Sequence, residues 1–300
     1  MPISVPPFID AHQHFWDIDR NPYPWLQGPP LPFRYGDYAA LRRNYLPSDY
    51  LADTGNCVPE RTVHIEAEWE RSAPVDETHW LEQLARDTGY PSAIVAHAKL
   101  DNDDIADVLA RQAASPLVRG IRHKPGQADS PQAARRNAPG SMDDARWRRG
   151  FARLASHNLS FDLQAPWWDF AAAAALAGDF PSTQIIVNHT GLPADRSPEG
   201  LAGWRAAMEQ LANCPNVAVK ISGLGQRGIA WTAAANVPVI RDAIAIFGPS
   251  RCLFASNYPV DSLVADYPTI LSTFLAAIAD RTDQERQMML RDNAVRLYRL

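Results

Sequence analysis

Short apolar runs rich in Val, Ile, Leu and Phe recur along the whole chain, at 8–12, 62–67, 92–99, 118–122, 159–164, 184–189, 216–221 and 252–256. Each has the length of a strand, and near-continuous apolar runs are what a strand buried on both faces shows. Stretches of helical pattern separate most of them. Residues 76–88 stop at Gly89, a helix-ending residue. Residues 142–156 follow Ser141 and carry Asp143 and Asp144 in the first turn, the sign a helix dipole favours there. Residues 198–211 and 237–247 also read as helices, and Thr282-Asp283-Gln284-Glu285 opens a last one with a capping box. Eight strands alternating with helices predict a (β/α)8 TIM barrel, one domain over 1–300. The competing arrangement is an open doubly wound sheet, against which no Gly-rich phosphate loop follows any strand.

Two stretches exceed ordinary connections. Residues 15–46 follow the first strand and combine several prolines with Trp16, Tyr23, Trp25, Phe33 and Tyr35. At this end of a barrel, such a loop either covers a site and shapes its pocket or packs aromatics as a rigid surface feature. Residues 125–140 are polar and rich in Gly, Pro and Arg, which suits a mobile lid or a disordered tip.

In a barrel of this type the chemistry sits where strands end. The first strand gives His12 and His14, two apart and therefore on one side. Such a pair can hold a divalent ion or polarise a carbonyl. The second offers Glu66 and Glu68, with His64 on the same parity, for chemistry or for a structural ion pair. His97 and Lys99 end the third as structural or rim residues. Arg122 ends the fourth, placed to grip a carboxylate or sugar hydroxyls with its planar fork, or to pair with Glu66 or Glu68. Gln164 ends the fifth and can hydrogen-bond a substrate, while Asp162 is expected to form a buried bridge with Lys220. His189 shares parity with Ile185 and Val187 and is expected to continue a barrel-facing row. Asn257 closes the eighth strand, with Asp261 four residues beyond. His79 and His157 fall on or beside helices and read as surface.

Composition narrows the partners. The net charge of −5 disfavours nucleic acid and anionic membrane surfaces, both of which attract basic patches. The apolar stretch around 170–177 is far too short to span a bilayer. No basic segment leading into an apolar one opens the chain, so no signal peptide is read. Cys57, Cys214 and Cys252 are few and scattered, which fits a reducing compartment. A cytoplasmic protein with a small-molecule substrate is expected, and a homo-oligomer is compatible with the sequence.

The motifs Ile9-Asp10-Ala11-His12-Gln13-His14-Phe15-Trp16, Tyr23-Pro24-Trp25-Leu26, Val118-Arg119-Gly120-Ile121-Arg122, Asn188-His189-Thr190-Gly191, Val219-Lys220-Ile221-Ser222-Gly223-Leu224 and Phe254-Ala255-Ser256-Asn257-Tyr258-Pro259-Val260 together resemble the amidohydrolase superfamily. Within it they are most similar to the branch that includes sugar lactonases and 2-pyrone-4,6-dicarboxylate lactonase. The resemblance spans essentially the whole chain. It implies that His12, His14 and His189 surround a scissile carbonyl. It further implies that His12 and His14 hold one zinc or manganese ion, or that the enzyme works without metal. The implied activity is hydrolysis of a sugar lactone or of a carboxylated lactone from aromatic catabolism, by an activated water.

One position departs from the pattern: the strand-eight aspartate that activates water in such lactonases is Asn257 here. With an ion on the two histidines, hydroxide is available near neutral pH and no carboxylate base is needed. Without one, the base falls to Asp261, Glu66 or Glu68, and Asn257 orients the water. No histidine ends strand five, which argues against a binuclear site. Trp16 and Trp25 suit stacking on a sugar or flat ring. Related barrels support two other readings, a metal-dependent decarboxylase and a ligand-binding barrel without catalysis.

Overall fold

The computed structural model describes residues 5–300; residues 1–4, where the single-domain and no-leader readings begin, lie outside it. The predicted strands form as β1 (Ile9–Gln13), β2 (Arg61–Ile65), β3 (Ala93–His97), β4 (Val118–Arg122), β5 (Ser160–Leu163), β6 (Ile185–Val187), β7 (Val217–Ile221) and β8 (Cys252–Phe254). They pair in parallel and strictly in chain order, which no doubly wound sheet does. The ends meet just beyond β8. The His14 amide donates to the Tyr258 carbonyl at 2.8 Å, and the Asn257 amide to the His12 carbonyl at 2.8 Å. The sheet is a (β/α)8 barrel, and these two bonds are its seam.

The intervening helices are α1 (Pro24–Gln27), α2 (Pro47–Thr54), α3 (Pro74–Thr88), α4 (Ile105–Ala113), α5 (Ala145–Phe151), α6 (Phe170–Asp179), α7 (Pro198–Ala212), α8 (Ala233–Phe247) and α9 (Tyr267–Ala277). The chain ends in α10 (Asp283–Gln287) and α11 (Asn293–Tyr298), joined by a π turn. None of the helices among the described residues is long and apolar enough to cross a membrane.

Two helix starts differ from the sequence reading by three residues or more. The helix expected from 142 begins at Ala145, because Asp144 rather than Ser141 caps it, accepting from the Arg146 amide at 2.8 Å. The helix expected from 237 begins at Ala233, capped by Thr232; Pro238 lies inside it and has no amide to donate to the preceding turn. The capping box of the last helix is present, with the Glu285 amide donating to Thr282 Oγ1 and the Thr282 amide to Glu285 Oε2.

Alternation sorts each strand into two packing layers. Ile9, Val63, Ile65, Val95, Ile186, Ala218 and Leu253 fill the barrel together with Leu297 and Tyr298 of α11. Ile121, Phe161, Leu163, Ile185, Val187, Val219 and Phe254 pack outward against the helices. Phe161 is fully buried in that outer layer, so truncating it to Ala removes about 3–5 kcal/mol. This layering corrects the parity reading of His189: Ile185 and Val187 face the helices, and the inward residues of that segment are Ile186 and Asn188.

Below the mouth the barrel centre is polar. Lys220 Nζ lies 2.5 Å from Asp162 Oδ1, both fully buried, as the sequence suggested. The Tyr298 hydroxyl reaches both Asp162 oxygens at 3.1 Å, and Asn188 Nδ2 donates to Oδ1 at 2.9 Å. Burial pushes the Lys220 ammonium down to about 8 against the pull of Asp162.

Candidate active site

A bulge places the histidine pair. Between β1 and β2 the register passes from Asp10↔Thr62 to Gln13↔His64, so β1 holds one residue more than its partner. Asp10 points to the helix layer, accepting from the Tyr50 hydroxyl at 2.8 Å and from Ser256 Oγ at 2.6 Å. Gln13 also lies on that side, against Thr62. His12 and His14 are thereby turned to the mouth, although strict alternation from Asp10 would have sent them outward with it.

The two rings converge edge to face, with Nε2 of His12 and Nε2 of His14 3.2 Å apart. His14 Nδ1 donates to the Ile65 carbonyl at 2.7 Å, which leaves the lone pair on Nε2. The ring of His189 lies 4.7 Å from that of His12, centroid to centroid, and its Nδ1 is 3.1 Å from Ser222 Oγ. His189 reaches this place not by strand alternation but through a left-handed backbone, φ +55°, just after β6 ends. Gly223 makes the cradle: a Cβ there would stand 2.6 Å from the Cβ of His189. Burial, seconded by Lys220 for His12, Arg122 for His14 and Arg34 for His189, pushes all three imidazoles well below their usual value. They are neutral at neutral pH, the form that ligates metal and accepts a proton.

The donor set fits a metal ion in part. Two imidazole nitrogens 3.2 Å apart match the span of neighbouring ligands on one zinc, each at about 2.0–2.1 Å. The hydrogen bond from His14 Nδ1 is the outer support such ligands take. No third His, Cys, Asp or Glu completes a metal-holding cluster among the described residues, so the chain offers two positions.

Asn257 also takes a left-handed backbone, φ +59°, which an asparagine tolerates well. Its Nδ2 donates to Asp261 Oδ1 at 2.6 Å, and the Tyr35 hydroxyl donates to the same oxygen at 2.8 Å. The amide is therefore oriented, with Oδ1 left for the cavity side. Asp261 is fully buried behind it, and burial raises its carboxyl despite Arg34.

Over the histidines lies a cavity of about 490 Å³ lined by His14, His189, Asn257, Arg122 and Gln164. The 15–46 loop supplies its aromatic wall, Trp16, Trp25 and Phe33, and so shapes the pocket. Trp16 Nε1 is tied to the Arg43 carbonyl at 2.7 Å and Trp25 Nε1 to the Ala67 carbonyl at 2.9 Å. Phe33 stacks on Trp25 with an interplanar angle of 8°. Arg122 forms the expected ion pair with Glu66. Its Nε donates to Glu66 Oε1 at 2.7 Å and its Nη1 to Gln164 Oε1 at 3.2 Å, while the group still faces the cavity.

The structure therefore gathers His14, His189, Asn257, Trp16, Trp25, Arg122 and Gln164 on one wall, with His12 directly beneath. Glu66 and Asp261 do not line it. Glu66 stands behind Arg122, where Arg122 and Arg71 outweigh burial and hold its carboxyl well below the usual range. Glu68 does line it, bound to Lys124 and Arg71. Sequence reasoning missed Arg34 and Lys124 as wall residues, Ser222 as the partner of His189 and Tyr35 as that of Asp261. Only Arg34 had a signal, its place between Phe33 and Tyr35 in the aromatic loop.

A parallel eightfold barrel with histidines converging at the mouth where its strands end is the architecture of a TIM-barrel enzyme. The amidohydrolase family model matches residues 9–300, and the chain belongs to that family. It is 39% identical to the Sinorhizobium fredii protein y4mH, over 97% of this chain and 98% of that one. It is 29% identical to an L-fucono-1,5-lactonase of Burkholderia multivorans, over 97% of this chain and 96% of its relative. Among solved structures, a Burkholderia multivorans amidohydrolase with bound zinc superposes with a TM-score of 0.78 at 27% identity, covering 98% of this chain and 100% of that chain.

Proposed function

We propose that this protein opens lactones by hydrolysis. The observation that carries the proposal is the convergence of His12, His14 and His189 with an oriented Asn257 beneath an aromatic-walled cavity. The likeness to L-fucono-1,5-lactonases supports a sugar lactone over a carboxylated aromatic-derived one.

The reaction adds water across the acyl C–O bond of the ring. Hydroxide joins the carbonyl carbon, the ring C–O bond breaks, and a proton goes to the ring oxygen, giving a hydroxy acid. Asn257 Oδ1 accepts one hydrogen of the attacking water and orients it. His189, neutral and held through Nδ1 by Ser222, stands ready to accept the other proton and return it to the ring oxygen. His12 and His14 would hold a divalent ion, which supplies an acidified water and a Lewis acid for the carbonyl. Arg122, fixed by Glu66, binds a hydroxyl or carbonyl oxygen of the ring, and the tryptophans exclude solvent. Glu66 and Asp261 act through these groups rather than on the substrate.

The test is turnover of a panel of aldono-1,5- and 1,4-lactones by proton release, with His189→Ala and metal content measured in parallel. Hydrolysis that falls at least about 100-fold in His189→Ala supports the assignment, at the scale of a positioned acid–base group. Carbon dioxide release from unsaturated acids with no lactone turnover overturns it in favour of a lyase.

A further inference from the structure

A second cavity, about 1100 Å³, opens beside the first. Arg34 and Gly223 belong to its wall, and Arg34 also lines the catalytic cavity. Arg34 therefore stands between the two, its guanidinium on the Gly223 carbonyl and the Tyr35 hydroxyl. Gly223 is the residue that cradles His189, so the second cavity begins one residue from the reacting centre.

Its wall is mixed in chemistry. Trp168 is half-buried and tied by Nε1 to the Ala128 carbonyl at 2.9 Å, which fixes its ring as a plate. Around it stand Tyr35, Gln127, Asp129, Gln226 and Arg227. Gln226 spends Nε2 on the Ala194 carbonyl, leaving its carbonyl oxygen to accept. Arg227 is exposed and has no carboxylate partner among the described residues. An aromatic plate ringed by amide, carboxylate and guanidinium groups offers donors and acceptors together with a face for an apolar ring side. That combination suits a hydroxylated ring. A flat diacid would meet Asp129, a like charge.

We propose that this groove is a subsite for a sugar unit attached to the lactone, so that the substrate is the lactone of a glycosylated aldonic acid. The ring to be opened sits over His189 and Asn257, and its glycosyl substituent passes Arg34 onto Trp168. The proposal rests on the lactonase reading above.

The experiment compares glucono- and galactono-1,5-lactone with their 4-O-glycosyl derivatives, for the native protein, Trp168→Ala and Arg227→Ala. The native protein is expected to prefer the glycosylated lactones by about tenfold or more in kcat/KM, the scale of one stacking contact with its hydrogen bonds. Both variants are expected to lose that preference mainly in KM and to keep the native rate on single-ring lactones. Equal rates on both lactones, or equal losses in the variants, overturn the subsite. Calorimetry with the ring-opened acids keeps the two proposals apart. Tighter binding of the glycosylated acid that depends on Trp168, without turnover of any lactone, upholds the subsite and removes the lactonase reading. Binding no tighter than that of the single-ring acid removes the subsite even where lactones are opened.

Discussion

Removing the Asp261 side chain, as Asp261→Ala, tests how the strand-eight position works without a carboxylate. Asp261 Oδ1 accepts from Asn257 Nδ2 at 2.6 Å and from the Tyr35 hydroxyl at 2.8 Å, at a site with no solvent. Truncation leaves two buried donors unpaired, at about 1–3 kcal/mol each, so a stability loss of about 2–6 kcal/mol is expected. It also frees the Asn257 amide to rotate, and the attacking water then loses a fixed acceptor. A misplaced water costs about 10- to 100-fold in kcat, or about 1.4–2.7 kcal/mol of barrier, with KM little changed. Asp261→Asn retains an oxygen in place of Oδ1, can still accept from both partners, and should recover most of the rate. The assay pairs urea denaturation with steady-state kinetics on a turned-over lactone at a temperature where each variant is folded. A folded Asp261→Ala with kcat within twofold of native, or an Asp261→Asn as impaired as the alanine, refutes the positioning role.

Other consequences are as direct. Arg122→Met leaves the Glu66 carboxylate buried beside Arg71 alone and should cost about 3–5 kcal/mol in denaturant unfolding; a loss under 1 kcal/mol contradicts this. Where the purified protein carries a divalent ion on the histidine pair as proposed, His14→Ala should remove it by elemental analysis, and unchanged metal content would place the ion elsewhere. Because burial and cationic neighbours hold the proton off His12, His14 and His189, kcat/KM should stay level as pH falls through 6.5, and a decline centred there counts against neutral imidazoles. Burial, aided by Glu66, raises the Glu77 carboxyl to about 8, so the folded state binds this proton more tightly than the unfolded chain. Its contribution is full below about 4.5 and is lost as pH rises to about 8. Glu77→Gln should flatten that decline in stability, and an unchanged slope excludes Glu77 as its source.

The barrel was legible because most of its strands are short and rich in Val, Ile, Leu or Phe, with helix signals between most of them. The Asp162–Lys220 bridge was legible too, since two charges amid apolar residues demand each other. What escaped was set by single residues that leave the regular pattern. The β1 bulge reverses the alternation between Asp10 and His12, and nothing in Ile-Asp-Ala-His-Gln-His marks which residue is extra. His189 and Asn257 owe their positions to positive φ after the strand ends, a choice made by Gly223 and the seam rather than by local periodicity. The α2, α4, α6 and α9 helices were not singled out as helices, although Asp266 caps α9 and Pro47 opens α2. Asp261 and Glu66 looked catalytic because carboxylates at strand ends usually face the mouth. Their partners, Tyr35 and Arg122, lie 226 and 56 residues away and turn both into supports.

The seam bears on the order in which the protein acquires its site. His12 and Asn257 are joined backbone to backbone across a separation that covers most of the chain, and His14 is joined to Tyr258 in the same way. Contacts this distant in sequence form late, since closing so long a loop is repaid only when the intervening strands are in place. During synthesis the histidine pair emerges with the first barrel strand, ahead of the other seven, and waits for the last strand. No nascent fragment short of β8 can orient a water or hold the pair in register. Completion of the fold and onset of chemistry are thus one event.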